Sequence, residues 1–182
     1  MGLRMLEAIG APGSVMREST LRPQIGESGP SAGGVSDVPV AITKVTVSLT
    51  GFNHGNYHDV SILLVSPSGK GVMLMAHCMD AAFDTVERNF VLDDDAGSSV
   101  PQNSRPAGAG PHTYQPTVYD GQVVPFPTPA PEPDPGPQYE TTLASLIGED
   151  PNGCWSLYVT DDSGGDAGWI QGGWDLDITT AT

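Results

Sequence analysis

The sequence predicts an all-β protein, and three features of the chain indicate this class. Residues 153–178 alternate apolar and polar side chains on both sides of an acidic, glycine-rich turn, as two antiparallel strands do. Turn-forming residues are abundant, with 23 Gly and 17 Pro. The 182 residues are enough for one domain with a substantial core and too few for two. We therefore expect a single domain built from paired strands.

The predicted hairpin at residues 153–178 has one apolar face and one polar face. The apolar positions are Trp155, Leu157, Val159, Ile170, Trp174, Leu176 and Ile178. Asp175, Asp177 and Thr179 fall on the other face and are expected in water, because successive strand residues point to opposite sides. We expect Trp155 and Trp174 in the core, with Trp169 nearer the surface beside the acidic turn.

Two separated motifs resemble one known family. Residues 153–178 contain Gly-x-Trp-x-Leu-x-Val-x-Asp, an acidic turn, then Gly-x-Ile and a Trp-x-Leu-x-Ile strand. Residues 58–69 are similar to Asp-Leu-x-Ile-x-Leu-x-Ser-Pro-Ser-Gly, with Val60 where leucine is usual. Together they resemble the P domain (P/Homo B domain) of subtilisin-like proprotein convertases and bacterial secreted proteins. Over residues 38–180, the resemblance implies a jelly-roll-like β-sandwich that has no catalytic residues and stabilises a neighbouring domain.

Four further strands are expected before the hairpin, over residues 40–52, 59–66, 71–77 and 88–92. In the first, the apolar parity changes near Thr43 and Lys44, which predicts a bulge or bend. The second is almost continuously apolar, which is typical of a strand buried on both faces. Residues 141–148 are predicted to form a short helical turn or a strand.

Two regions lack a strand or helix period, so we divide the chain into an arm and a sandwich. Residues 1–37 are predicted to be an extended N-terminal arm, and residues 38–182 the sandwich. The arm either buries its apolar side chains against a neighbouring subunit or folds back on its own domain. Residues 98–138 are expected to form an irregular, Pro- and Gly-rich insertion in which regular structure is improbable. Within it, every second residue of 125–137 is proline, which favours polyproline-II geometry in a surface excursion or partner-binding strap.

The charge balance restricts the partners. Seven Lys plus Arg against 22 Asp plus Glu give a net charge of −15, which repels phosphate backbones and anionic membranes and attracts divalent cations. We expect protein partners, no nucleic acid and no membrane insertion, since no run reaches the roughly 20 apolar residues of a membrane span. The start of the chain lacks the apolar stretch of a secretory signal. Either the signal has been removed, or export uses another route, or the protein is not exported.

Clustered carboxylates make calcium the expected cofactor. The turn at residues 161–166 places three of them close together, and a cation with oxygen ligands would relieve their repulsion. The candidate ligands are Asp59, Asp94, Asp95, Asp161, Asp162 and Asp166. The spacing matches no EF-hand loop, so a solvated hairpin tip and strand-end caps are the alternatives.

No enzyme activity is expected. A serine hydrolase needs a histidine base beside its nucleophile, and none of the four histidines lies in a recognisable catalytic motif. His54 and His58 have the i, i+4 spacing of helical zinc ligands, but Gly55 and Asn56 disfavour a helix, so we interpret them as hydrogen-bonded or solvent-facing. Cys78 and Cys154 could form a disulfide or remain two thiols.

The sequence therefore favours a non-catalytic structural or interaction module. Our first hypothesis is a subunit of a larger extracellular, surface or virion-type assembly, held by residues 1–37 and stiffened by calcium. One alternative is a carbohydrate- or ligand-binding jelly roll, which an exposed row of aromatic rings would favour. Another is an accessory domain of a secreted subtilisin-like protease.

Overall fold

A computed structural model describes residues 16–19, 24–25, 31–38, 41–80, 86–121, 126, 128–133 and 138–181, and the structural statements below concern these residues. Residues 16–19 and 24–25 are described by their backbone alone.

The described residues form two β-sheets. The strands are β1 (Met16–Ser19), β2 (Gln24–Ile25), β3 (Ser31–Val35), β4 (Ile42–His54), β5 (Val60–Val65), β6 (Gly71–Ala76), β7 (Arg88–Leu92), β8 (His112–Tyr114), β9 (Thr117–Val118), β10 (Gly153–Asp161) and β11 (Gly168–Thr180). One sheet has the order β1-β11-β4-β7-β8, with β2 also on β11, and the other has the order β3-β10-β5-β6-β9. Two short 3-10 helices, Tyr57–Asp59 and Leu143–Leu146, precede β5 and β10.

The main core lies between the two sheets, which confirms the all-β sandwich. Apolar side chains from both sheets form one buried cluster, and Trp155 is fully buried while Trp174 is 6% exposed. Each indole still finds a partner: Trp155 Nε1 donates to the Pro151 carbonyl at 2.9 Å, and Trp174 Nε1 donates to Ser31 Oγ at 3.0 Å. Buried indole N–H groups need such acceptors, so these bonds hold the rings at the centre of the sandwich.

The two predicted closing strands are confirmed as β10 and β11, but the prediction that they pair as a hairpin is wrong, because they lie in different sheets and the acidic turn connects the two sheets. Strand β11 pairs along its length with β4. The pairing shifts register between Ile42 and Lys44, which is the bulge that the change of apolar parity predicted.

Strand β5 is buried on both faces, as its continuous apolar run predicted. Ile62 and Leu64 point into the main core, whereas Leu63 and Val65 join a second buried cluster on the outer face of the same sheet. Phe126 and Tyr139 pack on that outer cluster. The outer face is covered because part of the proline-rich insertion lies over it.

The insertion is more ordered than the sequence predicts. Within residues 98–138, His112–Tyr114 and Thr117–Val118 are strands, so the expectation of irregular structure is wrong there. Both add to sheet edges in parallel, β8 on β7 and β9 on β6. These short strands form because the edge strands of the two sheets offer backbone hydrogen bonds, which the local sequence does not reveal. Pro111 and Pro116 lie next to the strands and do not interrupt them. The expected excursion is anchored to its own domain, since Tyr139 Oη donates to the Pro131 carbonyl at 2.7 Å.

Parts of the predicted N-terminal arm pair with the sandwich. Strands β1 and β2 pair with β11, and β3 pairs with β10. These strands correspond to the second expectation for the arm, that it folds back on its own domain. Residues 1–15, 20–23 and 26–30, on which an intermolecular contact would also depend, lie outside the described residues.

Cys78 and Cys154 are both free thiols, one buried and one exposed. Among the described residues, no helix has the length and apolar character needed to traverse a bilayer.

Candidate functional site

Three segments meet at one end of the sandwich. They are the end of β4 at His54, the loop that carries Asp59 into β5, and residues 161–166 between β10 and β11, which we call the acidic turn. Backbone hydrogen bonds tie them together: Gly55 N–H donates to Ala167 O at 3.3 Å, and Asp162 N–H donates to Asp59 O at 3.0 Å. The ends of sheet strands therefore fix the positions of the side chains at this site.

His54 is completely buried at this junction. Its Nδ1 lies 2.7 Å from the Asn56 carbonyl oxygen and 3.2 Å from the Asn56 backbone nitrogen, so Nδ1 donates to the carbonyl in one ring tautomer and accepts from the amide in the other. Nε2 lies 3.2 Å from Asp161 Oδ2, but the direction is unsuitable for a hydrogen bond, and Nε2 has no hydrogen-bond partner. In the tautomer whose Nδ1–H donates to the carbonyl, an unprotonated Nε2 therefore faces a carboxylate oxygen.

Two carboxylates converge on that nitrogen. The potential ligand atoms of His54, Asp161 and Asp166 all lie within 4.8 Å of one another. Asp161 is held in place because its Oδ1 accepts a hydrogen bond from Ser163 N–H at 3.1 Å, which leaves Oδ2 toward the histidine. The Asp161 side chain is only 14% exposed, so water screens the cluster weakly.

Two glycines make this close approach possible. A Cβ atom at Gly55 would lie 2.6 Å from Asp166 Cβ, and one at Gly168 would overlap the Asn53 carbonyl oxygen and the His54 ring. Glycine at these two positions is required by space, because any side chain would push the acidic turn away from His54.

Asp59 and Asp162 surround this centre. Burial raises the pKa of the Asp59 carboxyl, and repulsion from Asp162, Asp166 and Asp161 raises it further. Asn56 Nδ2 donates to Asp59 at 2.6 Å. Asp162 accepts from His77 Nε2 at 3.1 Å, which is an ordinary imidazole–carboxylate hydrogen bond. Four carboxylates therefore share one end of the sandwich with His54.

The other predicted carboxylates lie elsewhere and have protein partners. Asp93–Asp95, which we call the triple-aspartate loop, follows β7. Lys44 Nζ lies 2.6 Å from Asp95 and 3.0 Å from Asp93. Asp94 accepts the backbone N–H groups of Leu143 and Ala144 at the start of a 3-10 helix. Of the six predicted ligands, the structure thus groups Asp59, Asp161, Asp162 and Asp166 and separates Asp94 and Asp95.

Sequence reasoning missed His54 as a possible ligand. It considered His54 only with His58 as a helical pair, whereas the strand pairing of β4 with β11 brings His54 to Asp161 and Asp166. The sequence did contain one signal for this site. Gly55 follows His54 at the end of a strand, and Gly168 begins β11, so two glycines mark a close approach of backbone segments near the histidine.

The other reactive side chains have structural surroundings. Among the described residues, none of the four histidine rings accepts a hydrogen bond from a serine, threonine or cysteine, and burial raises the pKa of the Cys78 thiol to about 12. Trp169 is 41% exposed, whereas Trp155 and Trp174 are buried. The described tryptophans therefore do not form an exposed row, although Trp169 lies at the surface.

No protein-family model and no curated protein matches this chain. Among solved structures, it is similar to the serine protease of Aeromonas sobria in complex with the chaperone ORF2, at 16% identity and a TM-score of 0.46. It is also similar to the Aeromonas sobria serine protease alone, at 14% identity and a TM-score of 0.45. These matches cover 92% and 98% of this chain, which spans only 26% and 28% of the matched chains.

Proposed function

We propose that this chain is a non-catalytic accessory module of a secreted subtilisin-like protease and that its partner is a protein domain. The observation that carries the proposal is the position of the two P-domain-like motifs. Residues 60–65 and 156–161 form the paired strands β5 and β10 at the centre of one sheet. Motif positions such as Leu64, Trp155 and Leu157 are buried in the core. The motifs therefore specify a scaffold, which is the role that the resemblance implies.

The serines of the first motif support the same interpretation. Ser66 and Ser68 both donate to Glu149 Oε2, at 3.1 and 2.9 Å, and Lys70 Nζ lies 2.7 Å from Glu149 Oε1. Burial alone would raise the pKa of Glu149, but the hydrogen bonds from Lys70, Ser68 and Ser66 outweigh it and lower the pKa. These hydroxyls fasten the β5–β6 turn to the segment before β10, so they hold the fold in place.

The test is co-expression with a subtilisin-like protease encoded by the same organism. We expect the two proteins to co-elute in gel filtration, the thermal midpoint of the protease to rise, and the purified module alone to leave casein intact. The control is Trp155→Ala, which leaves a cavity in the core and should lower the free energy of unfolding by about 3–5 kcal/mol. This variant should neither co-elute with the protease nor raise its thermal midpoint. Casein hydrolysis by the purified module would contradict the proposal, as would a protease whose elution and thermal midpoint are unchanged.

Assembly through residues 1–37 stays a prediction with a direct measurement of its own. Light scattering of the full chain gives its oligomeric state. Deleting residues 1–37 would also remove β3, and with it the Trp174 hydrogen bond to Ser31, so that truncation tests folding as well as assembly.

A further inference from the structure

We propose that His54, Asp161 and Asp166 bind a divalent transition-metal ion of the zinc type. The starting observation is His54 Nε2, which is fully buried, has no hydrogen-bond partner and lies close to two carboxylates. A buried polar atom without a hydrogen-bond partner costs free energy, so native proteins rarely leave one. A cation at this point would satisfy the nitrogen and neutralise the carboxylates together.

The distances fit two ligands of one ion. A zinc ion binds imidazole nitrogen and carboxylate oxygen at about 2.0–2.2 Å. Two such ligands separated by about 100° at the metal would be about 3.2 Å apart. The distance from His54 Nε2 to Asp161 Oδ2 is 3.2 Å, and the Asp166 ligand atom lies within 4.8 Å of both.

The second nitrogen of His54 is arranged as metal-binding histidines require. Asn56 holds the ring through Nδ1, and in the tautomer whose Nδ1–H donates to the Asn56 carbonyl at 2.7 Å, Nε2 is unprotonated. Metal-bound histidines nearly always donate their other ring N–H to a carbonyl or carboxylate. Space for Asp166 is provided by Gly55, so the three ligands are positioned by the fold.

A proton on Nε2 is the competing explanation. A protonated His54 would aim its Nε2–H at Asp161 Oδ2, as His77 does toward Asp162 at 3.1 Å. The two pairs have nearly equal lengths, but only the His77 pair has hydrogen-bond direction. The geometry at His54 therefore favours a metal over a proton.

The ligand types select the metal. Calcium takes six to eight oxygen ligands, whereas imidazole together with carboxylates suits zinc and similar transition ions. The inference therefore replaces the calcium expectation at Asp161 and Asp166 by a nitrogen-binding ion. It is independent of the proposed accessory function, since it concerns how the end of β4 is joined to the acidic turn.

The test uses the full chain after EDTA treatment and dialysis. We expect about one Zn²⁺ per chain by elemental analysis, and a thermal midpoint that rises and saturates with added Zn²⁺ but not with equal Ca²⁺. Cobalt(II) should give a visible absorption band that Zn²⁺ displaces. Asp161→Asn and Asp166→Asn should each weaken Zn²⁺ binding at least ~10-fold.

Asp95→Asn is the matched control, because it removes one exposed carboxylate charge from the triple-aspartate loop. It should leave Zn²⁺ binding unchanged. Nitrogen-15 NMR of the histidine rings adds a readout that needs no variant, since Zn²⁺ should shift His54 Nε2 and leave the other rings nearly unchanged. The proposal is overturned if Zn²⁺ is not retained, if only Ca²⁺ stabilises the chain, if Asp95→Asn weakens binding as much as Asp166→Asn, or if Zn²⁺ leaves the His54 Nε2 signal unchanged.

Discussion

The triple-aspartate loop and the acidic turn each contain three aspartates, but the fold gives them different surroundings. In the triple-aspartate loop, Lys44 neutralises Asp93 and Asp95, and Asp94 accepts two backbone N–H groups. In the acidic turn, His54 and His77 are the side chains that approach Asp161 and Asp162, and Asp59 adds a fourth carboxylate. The carboxylates of the triple-aspartate loop all have partners within the protein. The acidic turn, in contrast, faces an unpartnered ring nitrogen and carries excess negative charge.

This difference shows that a run of carboxylates becomes a candidate cation site only when the fold places no lysine or arginine side chain beside it. The chain has only seven Lys plus Arg for 22 Asp plus Glu, so there are too few basic side chains to neutralise most of the carboxylates. Lys44 lies on β4, distant in sequence from the loop that it neutralises. The counter-charge is a tertiary feature, and local sequence does not reveal it.

The largest expected difference between the two regions concerns their glycines. Gly168→Ala places a Cβ against the Asn53 carbonyl and the His54 ring, where paired strands β4 and β11 cannot separate freely. We expect the free energy of unfolding to fall by about 3 kcal/mol, which is at the upper end of the range for side chains inserted into a well-packed region. Urea denaturation measures it.

Gly97→Ala, beside the triple-aspartate loop, is the matched control. A Cβ there meets no atom within 4 Å, so its effect should stay within about 0.5 kcal/mol. Equal losses for the two variants would show that the acidic turn is not tightly packed on His54.

A smaller effect is expected for Asp94→Ala. This change removes the acceptor for the N–H groups of Leu143 and Ala144, as the loss of a helix cap does, and should cost about 1 kcal/mol. Asp94→Asn keeps one acceptor oxygen and should lose less. Both variants should show the same stability with and without Ca²⁺ in urea titrations. A Ca²⁺-dependent difference would restore Asp94 as a metal ligand.

The fold was largely predictable because its strongest signals are local. Trp155, Leu157 and Val159 alternate with polar residues, and a period of two specifies a half-buried strand without any knowledge of the partner. The parity change near Thr43 likewise predicted a bulge. By contrast, β8 and β9 are three and two residues long, and they exist because a neighbouring sheet edge supplies their ladder bonds.

The sequence predicted the carboxylates of the candidate site but not its histidine, because only the carboxylates are adjacent in the chain. The carboxylates of residues 161–166 adjoin one another in the chain, so their crowding was evident from sequence alone. His54 is more than 100 residues away from them, and only the register of β4 on β11 brings it there. Its proposed role as a metal ligand depends on an unpartnered ring nitrogen, which is a geometric property.

The pH dependence of stability should distinguish the two regions through Asp59. Its pKa is raised above the ordinary value of 3.8, so the folded state binds its proton more tightly than the unfolded chain does. Stability from this group is therefore present below the unfolded pKa and is lost as the pH rises through the folded pKa. In EDTA, Asp59→Asn should gain stability relative to the wild type between pH 3 and pH 7, measured by urea midpoints. A gain that is largest at pH 3 would contradict the repulsion among these carboxylates.

The smallest effect is expected for the ion pair of Lys44 with Asp95. The two side chains are 42% and 79% exposed, and exposed pairs contribute little because water and salt screen them. Asp95→Asn should lower the free energy of unfolding by at most about 0.5 kcal/mol at low salt, and by less in 1 M NaCl. Lys44 retains Asp93 at 3.0 Å, which limits the loss further. A salt-independent loss well above this value would mean that the triple-aspartate loop depends on its counter-charge as strongly as the acidic turn does, and the contrast between the two regions would then be lost.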